Sequence, residues 1–575
     1  MPKRTGAAHV VTTTRKYGGK VYRTHLLRRS YREGGRVRNE TLGNLSHLPE
    51  PLVEIIRRSL QGEDFVPAAE RFEITGSLAH GHVEAVRAAM TRLGFAGLVA
   101  SKSSRERDLV CAMVAARILS PQTKLATTRW WKTTTLADEF GVADADEDAL
   151  YAAMDWLFER QERIQKKLAA RHLVEGGRVL YDLTSSYFEG VTCPLAKRGY
   201  SRDGRKGTLQ VNYGLLTDAR GCPVAVSVHA GNTADADTLM PEVSRLRGQF
   251  GIGELVLVGD RGMISQKAID EIRDLEGMGW ITALKTTAIR ALVESGSLQL
   301  GLFDERDLFE FYHADFPGER LVACRNPQLA KLRAYKREDL LVATEALLEK
   351  IRTRVSEARL RGRDAIGMAV GKQVNRYKVA KHFQLDIRDD AFAFSRDRAS
   401  IAREAALDGI YVIRSSVPAM DSADCVRHYK ALANVERAFR SMKTLDLKVR
   451  PIHHRLEERV RAHIFLCMLA YYVEWHLREA WRELMFADED QAAKAGRDPV
   501  APARRSKAAL EKIGQRVLGD GTPVHSFSTL LAELATRVRN TCRTRAGETG
   551  PTFQITTTPS LLQKRALDCV ERITV

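Results

Sequence analysis

Two acids in this chain sit where an acid is hardest to keep. Asp182 interrupts Val-Leu-Tyr-Asp-Leu-Thr and Asp260 ends Leu-Val-Leu-Val-Gly-Asp, runs that otherwise read as buried strand. A carboxylate there is costly unless a cation or a hydrogen-bond network satisfies it. A third acid, Glu436, lies on a helix-patterned stretch, with Tyr429 seven residues before it and Lys443 seven after. At about 100° per residue, these three side chains project from one helix face, two turns apart.

Composition narrows what the acids serve. With 575 residues, 44% of them hydrophobic, the chain has material for several cored domains and is not a disordered protein. Its 90 Lys and Arg against 72 Asp and Glu give a net charge of +18, which favours a polyanionic partner. Nucleic acid is the first expectation and an anionic membrane surface the second. The longest apolar run, residues 464–473, is about half of what a bilayer span needs, and residues 1–20 lack a signal-peptide core, so no membrane and a cytoplasmic location are expected. The eight cysteines contain no Cys-x-x-Cys, which indicates neither a zinc site nor a disulfide framework.

Residues 19–45 alternate apolar and basic side chains around Gly34-Gly35 and predict a basic hairpin within a segment 1–65. Helical spacing then predicts an all-helical domain over 66–172. Within it, Pro121 followed by residues 123–131 allows a helix-turn-helix with Arg105, Arg107 and Lys124 on phosphates, against plain helical packing with Trp130 and Trp131 as core or interface.

Strands are predicted over 178–184, 209–216, 223–229, 255–259 and 280–284, with helices over 233–250 and 265–275. The order is β-β-β-α-β-α-β, the pattern of a ribonuclease H-like mixed α/β layer, in which Asp182 and Asp260 fall side by side at the sheet centre. The first part of this core spans 173–290. A basic α+β insertion is predicted over 291–408, and the second part, 409–485, contains a strand over 409–415 and the glutamate helix over 425–445. A helix over 456–484 is read as apolar on one side, and 486–575 as a helical region with an irregular tail. Gly367–Gln373 resembles a phosphate loop but is one residue short and has Gln373 in place of the magnesium-holding Ser or Thr, so no ATP site is expected.

Carboxylates together with substrate phosphate suit Mg2+, and two such ions activate the attacking oxygen and stabilise the leaving one in displacement at phosphorus. Each acid has a plainer alternative: Asp182 as a loop cap or arginine partner, Asp260 as a turn or helix-start acid, Glu436 as one exposed glutamate among many. The combination is what points to a site. Asp235 and Asp237 are read as helix N-terminal charges. His453, His454 and His463 are read as satisfied or DNA-facing, because no acid or Cys completes a metal-ligand spacing.

With Gly-Asn-Thr-Ala-Asp at 231–235, Asp260-Arg261-Gly262-Met263, Gly318-Glu319-Arg320-Leu321-Val322 and Asn375-Arg376-Tyr377-Lys378, nearly the whole chain resembles the DDE transposases of bacterial insertion sequences. The resemblance is to the group with an interrupted ribonuclease H-like core and a Tyr-Arg-Glu-Lys glutamate helix. Tyr429, Glu436 and Lys443 match that motif; Leu432 stands where its Arg belongs. The resemblance implies that Asp182, Asp260 and Glu436 bind two Mg2+ ions, with Mn2+ as a substitute. It further implies cleavage at the terminal inverted repeats and joining of the 3′-hydroxyls to target DNA, with double-stranded DNA as partner and a homodimer in the DNA complex. Tyr429, Lys443, Arg440, Arg437, Lys430, Arg202, Arg205 and Lys206 are the expected DNA contacts, against a reading of the loop 202–206 as a solvated turn. The competing functions are a ribonuclease H-like nuclease without strand transfer and a domesticated DNA-binding protein.

Overall fold

The computed structural model describes residues 6–63, 65, 72–304, 306–491, 496–501, 505–544 and 551–574. The chain divides into two compact units. The smaller, residues 1–77 with 539–557, contains an antiparallel sheet of β1 (Ala8–Tyr17), β2 (Lys20–Glu33) and β3 (Arg36–Asn44), followed by the helix Glu50–Leu60. The expected hairpin is thus the second half of a three-stranded sheet. Its turn residues Gly34 and Gly35 have φ of +57° and +78°, the left-handed pair that a tight hairpin requires and only glycine adopts freely. β4 (Phe72–Ala79) belongs to a second sheet with the strands Val538–Thr544 and Thr552–Thr556. The segment read as an irregular helical tail therefore supplies two strands; their Thr and Arg content gives little apolar alternation to read.

The larger unit, residues 78–538 with 558–575, begins with helices. Arg105–Leu119 is buried continuously from Leu109 to Ile118 and packs on the helices Glu147–Phe158 and Glu457–Ala480. The helix that follows, Lys124–Trp131, buries Lys124, Thr127 and Trp131 and leaves Leu125 and Arg129 exposed. Arg105 pairs with Asp144 at 2.9 Å and Arg107 with Asp108 at 3.1 Å. Lys124 is buried, which pulls its pKa down to about 7. Trp131 is in the core, and Trp130 packs partly buried against it.

The main sheet starts with β5 (Gly177–Tyr187), β6 (Gln210–Asp218) and β7 (Pro223–Ala230), continues through the helix Leu239–Gly248 to β8 (Leu255–Val258), and through Gln266–Arg273 to β9 (Met278–Ala283). β5, β6 and β7 are antiparallel neighbours; β5 and β8, and β8 and β9, are parallel. All nine residues of β6 are buried, as expected of an interior strand covered on both faces.

Further on lie β10 (Leu308–Phe311), β11 (Arg320–Arg325), the hairpin β12 (Phe383–Ile387) and β13 (Phe392–Arg396), and β14 (Ile410–Ser415). The sheet order is β10-β11-β14-β9-β8-β5-β6-β7. β10 and β11, expected within the insertion, are thus strands of the main sheet. β11 buries Arg320 through Cys324 without a break, so it has no exposed face to set it apart. The helices Pro327–Ser356 and Arg363–Val374 with β12 and β13 have their own core around Leu341, Leu348, Ile351, Ile366, Phe383 and Phe392. Gly367 and Gly371 lie within a helix, so the phosphate-loop lookalike is no loop.

The helix Glu457–Ala480 is buried all around from Ala462 to Glu474, rather than apolar on one side, and contacts both the helical layer and β7. Among the described residues, no helix is long and apolar enough to cross a membrane.

Candidate active site

Strand register brings two of the acids together. Leu180 pairs with Val258 across the parallel strands β5 and β8. Asp182 and Asp260 each follow by two residues, so both side chains lie on one face of strands spaced about 4.8 Å apart. Asp182 Oδ1 accepts the Leu183 N–H at 2.8 Å, and Asp260 Oδ1 accepts those of Gly262 and Met263 at 2.9 and 2.7 Å. These bonds orient each carboxylate and leave its second oxygen to the site. The helix Leu432–Arg440 packs against β5 and presents Glu436, which is exposed. Burial pushes the Asp182 carboxyl up to about 7; the charges of Asp260 and Glu436 add to this, while the Leu183 N–H and Arg202 oppose it. Tyr429 joins the group: burial, then Asp260, raises its phenol to about 12, with Glu436 and Asp182 adding and Arg261 opposing.

Lys443 lies at the end of the glutamate helix, beside the strand that carries Asp182. The helical stretch is broken at Ala431 and widens into a π-turn at Ser441–Leu445, which shifts the register after Glu436. The Lys443 ammonium is buried, 2.6 Å from Asp203 Oδ1 and 3.0 Å from the Thr184 hydroxyl. Asp203 also takes Arg450 on Oδ1 and the Tyr187 N–H on Oδ2 at 3.0 Å. The π-turn is held from behind, where Ser441 Oγ lies 2.6 Å from Glu474 and 2.8 Å from Asp446.

The remaining cations divide. Arg202 pairs with Asp235, which with Asp237 stands in the first turn of a helix, the place read for both acids. Arg205 stacks on the Tyr187 ring at 3.9 Å, and Lys206 is exposed. Lys430 donates to the Pro499 carbonyl, whereas Arg437 and Arg440 are exposed on the glutamate helix. A cleft of about 360 Å³ is lined by Tyr187, Asp203, Arg205, Lys443, Thr444, Lys448 and Arg450. Sequence reasoning missed Asp203, Arg261, Lys448 and Arg450. Asp203 stood in a loop read only for its cations, and Arg261 stands directly beside Asp260.

A mixed α/β sheet and a crossing helix gather three carboxylates, bordered by cations. Residues 178–473, more than half of the chain, match the family described as the transposase DDE domain, and residues 10–68 match the IS1634 family transposase N-terminal domain. The chain belongs to the DDE transposases of insertion sequences and is a DNA transposase. It is also similar to the piggyBac transposase in a cryo-EM synaptic complex with hairpin DNA, at 8% identity over 79% of this chain and 77% of that one, with a TM-score of 0.33. No curated protein matches the chain.

Proposed function

We propose that Asp182, Asp260 and Glu436 hold two Mg2+ ions at the centre of a ribonuclease H-like layer, and that the enzyme cuts at the inverted-repeat ends of its element and joins the 3′-hydroxyls to target DNA. The observation that supports this most is the pairing of Asp182 and Asp260 on adjacent parallel strands, with Glu436 close enough for its charge to act on Asp182. The donor set fits a hard divalent cation: all the ligands are carboxylate oxygens, and one oxygen each of Asp182 and Asp260 is not taken by a backbone N–H. When bound, the ions supply activation of the attacking oxygen and stabilisation of the leaving one.

The chain's own groups orient the DNA. Arg261 beside Tyr429, exposed Arg437 and Arg440, Lys206, and the cations of the cleft at Arg205, Lys448 and Arg450 offer phosphate contacts around the acids. Water serves as the first nucleophile and the freed 3′-hydroxyl as the second, with two copies of the chain meeting on DNA. The test is incubation of the full chain with Mg2+, a duplex carrying the inverted repeats that flank its gene, and a supercoiled target. The reading expects cleaved ends and joined products. Cleavage without joining identifies a nuclease, and binding without cleavage a DNA-binding protein; either result contradicts it.

A further inference from the structure

A second cluster of metal-ligand side chains lies away from the acids. His172 ends the helix Gln161–His172, Cys222 sits in the turn between β6 and β7, and His476 lies on the helix Glu457–Ala480. One ligand atom from each falls within 4.8 Å of the others, and among the described residues no other such group of three His, Cys, Asp or Glu occurs. Residues 50 and 254 positions apart meet here, which is why no Cys-x-x-Cys or His-x-x-His spacing announced it.

We propose that His172, Cys222 and His476 form a structural zinc site that locks the β6–β7 turn beneath the glutamate helix. Cys222 Sγ and His476 Nε2 are 3.9 Å apart. Around tetrahedral Zn2+, with Zn–S of about 2.3 Å and Zn–N of about 2.0–2.1 Å, a sulfur and a nitrogen are separated by roughly 3.5 Å, so a few tenths of an ångström closes this pair, and side-chain movement of about an ångström brings in the third ligand, within 4.8 Å of the other two. Cys222 is fully buried and His476 nearly so, while His172 is half-buried, which leaves one approach for an ion. The His172 Nε2 is 3.1 Å from the Tyr472 hydroxyl, the oxygen best placed to fill or neighbour a fourth position. Asp218 accepts the Cys222 N–H at 2.9 Å and the Arg220 N–H at 2.9 Å, an outer arrangement that fixes the thiol's direction. On binding, the Cys222 thiol loses its proton to solvent and sulfur becomes the charged ligand.

The site's place in the fold gives it a purpose. Gly221, next to Cys222, has φ of +90°, and a Cβ there would lie 2.7 Å from that of Asn434. The turn is therefore pressed against the helix Leu432–Arg440, two residues before Glu436. An ion joining this turn to the helices Gln161–His172 and Glu457–Ala480 ties together three elements behind one catalytic carboxylate. A soft thiolate with two imidazoles selects zinc over magnesium, so the cluster is chemically separate from the three-carboxylate site.

The test is titration of the EDTA-treated full chain with Co2+ and with Zn2+. The proposal expects thiolate-to-cobalt charge-transfer absorption in saturating Mg2+, which fills the acid site, its displacement by Zn2+, and a melting temperature raised by Zn2+ beyond the level that saturating Mg2+ gives. Cys222→Ser abolishes the absorption, His172→Asn weakens zinc binding at least about tenfold, and Cys111→Ser, at a buried thiol elsewhere, leaves both unchanged. X-ray absorption on the wild-type zinc form covers the case in which Cys222→Ser fails to fold, with one sulfur and two imidazole nitrogens expected. Absence of the charge-transfer band at saturating Co2+, its persistence in Cys222→Ser, or an oxygen-only zinc shell overturns the proposal.

Discussion

Lys443 and Asp203 form a buried ion pair, Nζ to Oδ1 2.6 Å, with side chains 9% and 2% exposed. Asp203 lies in the loop after β5, so this pair joins that loop to the end of the glutamate helix. Arg450 shares the same oxygen, so one carboxylate faces two cations and the trio keeps a net positive charge. Burial lowers the Lys443 pKa while Asp203 works to raise it.

Removing Asp203 leaves both cations without their acid, whereas removing Lys443 leaves Asp203 still paired with Arg450. Asp203→Ala should therefore destabilise by about 3 kcal/mol, in the range for breaking a buried pair, and Lys443→Ala by less. Urea unfolding of both variants checks the order. Unchanged stability of Lys443→Ala together with a tenfold loss of cleavage would return Lys443 to the role of a direct phosphate contact.

The acid site should weaken the metal-free fold as pH rises. Asp182 is pushed up to about 7 in the native state, against about 3.9 for an unfolded Asp. Between those values the folded chain holds a proton that the unfolded chain lacks, so stability falls as pH rises through that window. In EDTA, Asp182→Asn should gain melting temperature relative to wild type from pH 4 to pH 8 and gain nothing below pH 4. A difference that does not vary with pH would mean that the Asp182 carboxyl is not raised.

Binding to duplex DNA should be steeply salt dependent, because a chain of net charge +18 displaces counterions at every phosphate it contacts. With about six or more contacts, affinity should fall about a thousandfold or more between 50 and 200 mM salt. Fluorescence anisotropy with a linear duplex measures the slope, and a flat response would contradict nucleic acid as the partner.

The parts of this fold legible in the sequence are those where local pattern and tertiary role agree. β5 through β9 read as strands because they are buried apolar runs, and Asp182 and Asp260 stood out because burial makes an acid conspicuous. What failed was what distant residues decide. Lys443 has Phe439, not an acid, four residues before it on its helix, and its partner Asp203 lies 240 positions earlier. The enclosure of Arg105–Leu119 by the helix Glu457–Ala480 is likewise set by residues more than 300 positions away. Hydrophobic spacing separates strand from helix, but it does not separate a main-sheet strand such as β11 from one in an insertion.

The central claim is that Asp182, Asp260 and Glu436 act as one metal-dependent catalytic unit. The most direct measurement compares cleavage of prebound inverted-repeat DNA by wild type, Asp182→Asn, Asp260→Asn and Glu436→Gln, with Mg2+, with Mn2+ and in excess EDTA. Each substitution should lower the rate at least about a thousandfold, ~4 kcal/mol in barrier, with DNA affinity within a few-fold of wild type, and EDTA should abolish the wild-type reaction. Cleavage at the wild-type rate by any of the three variants, or in EDTA, would contradict the account.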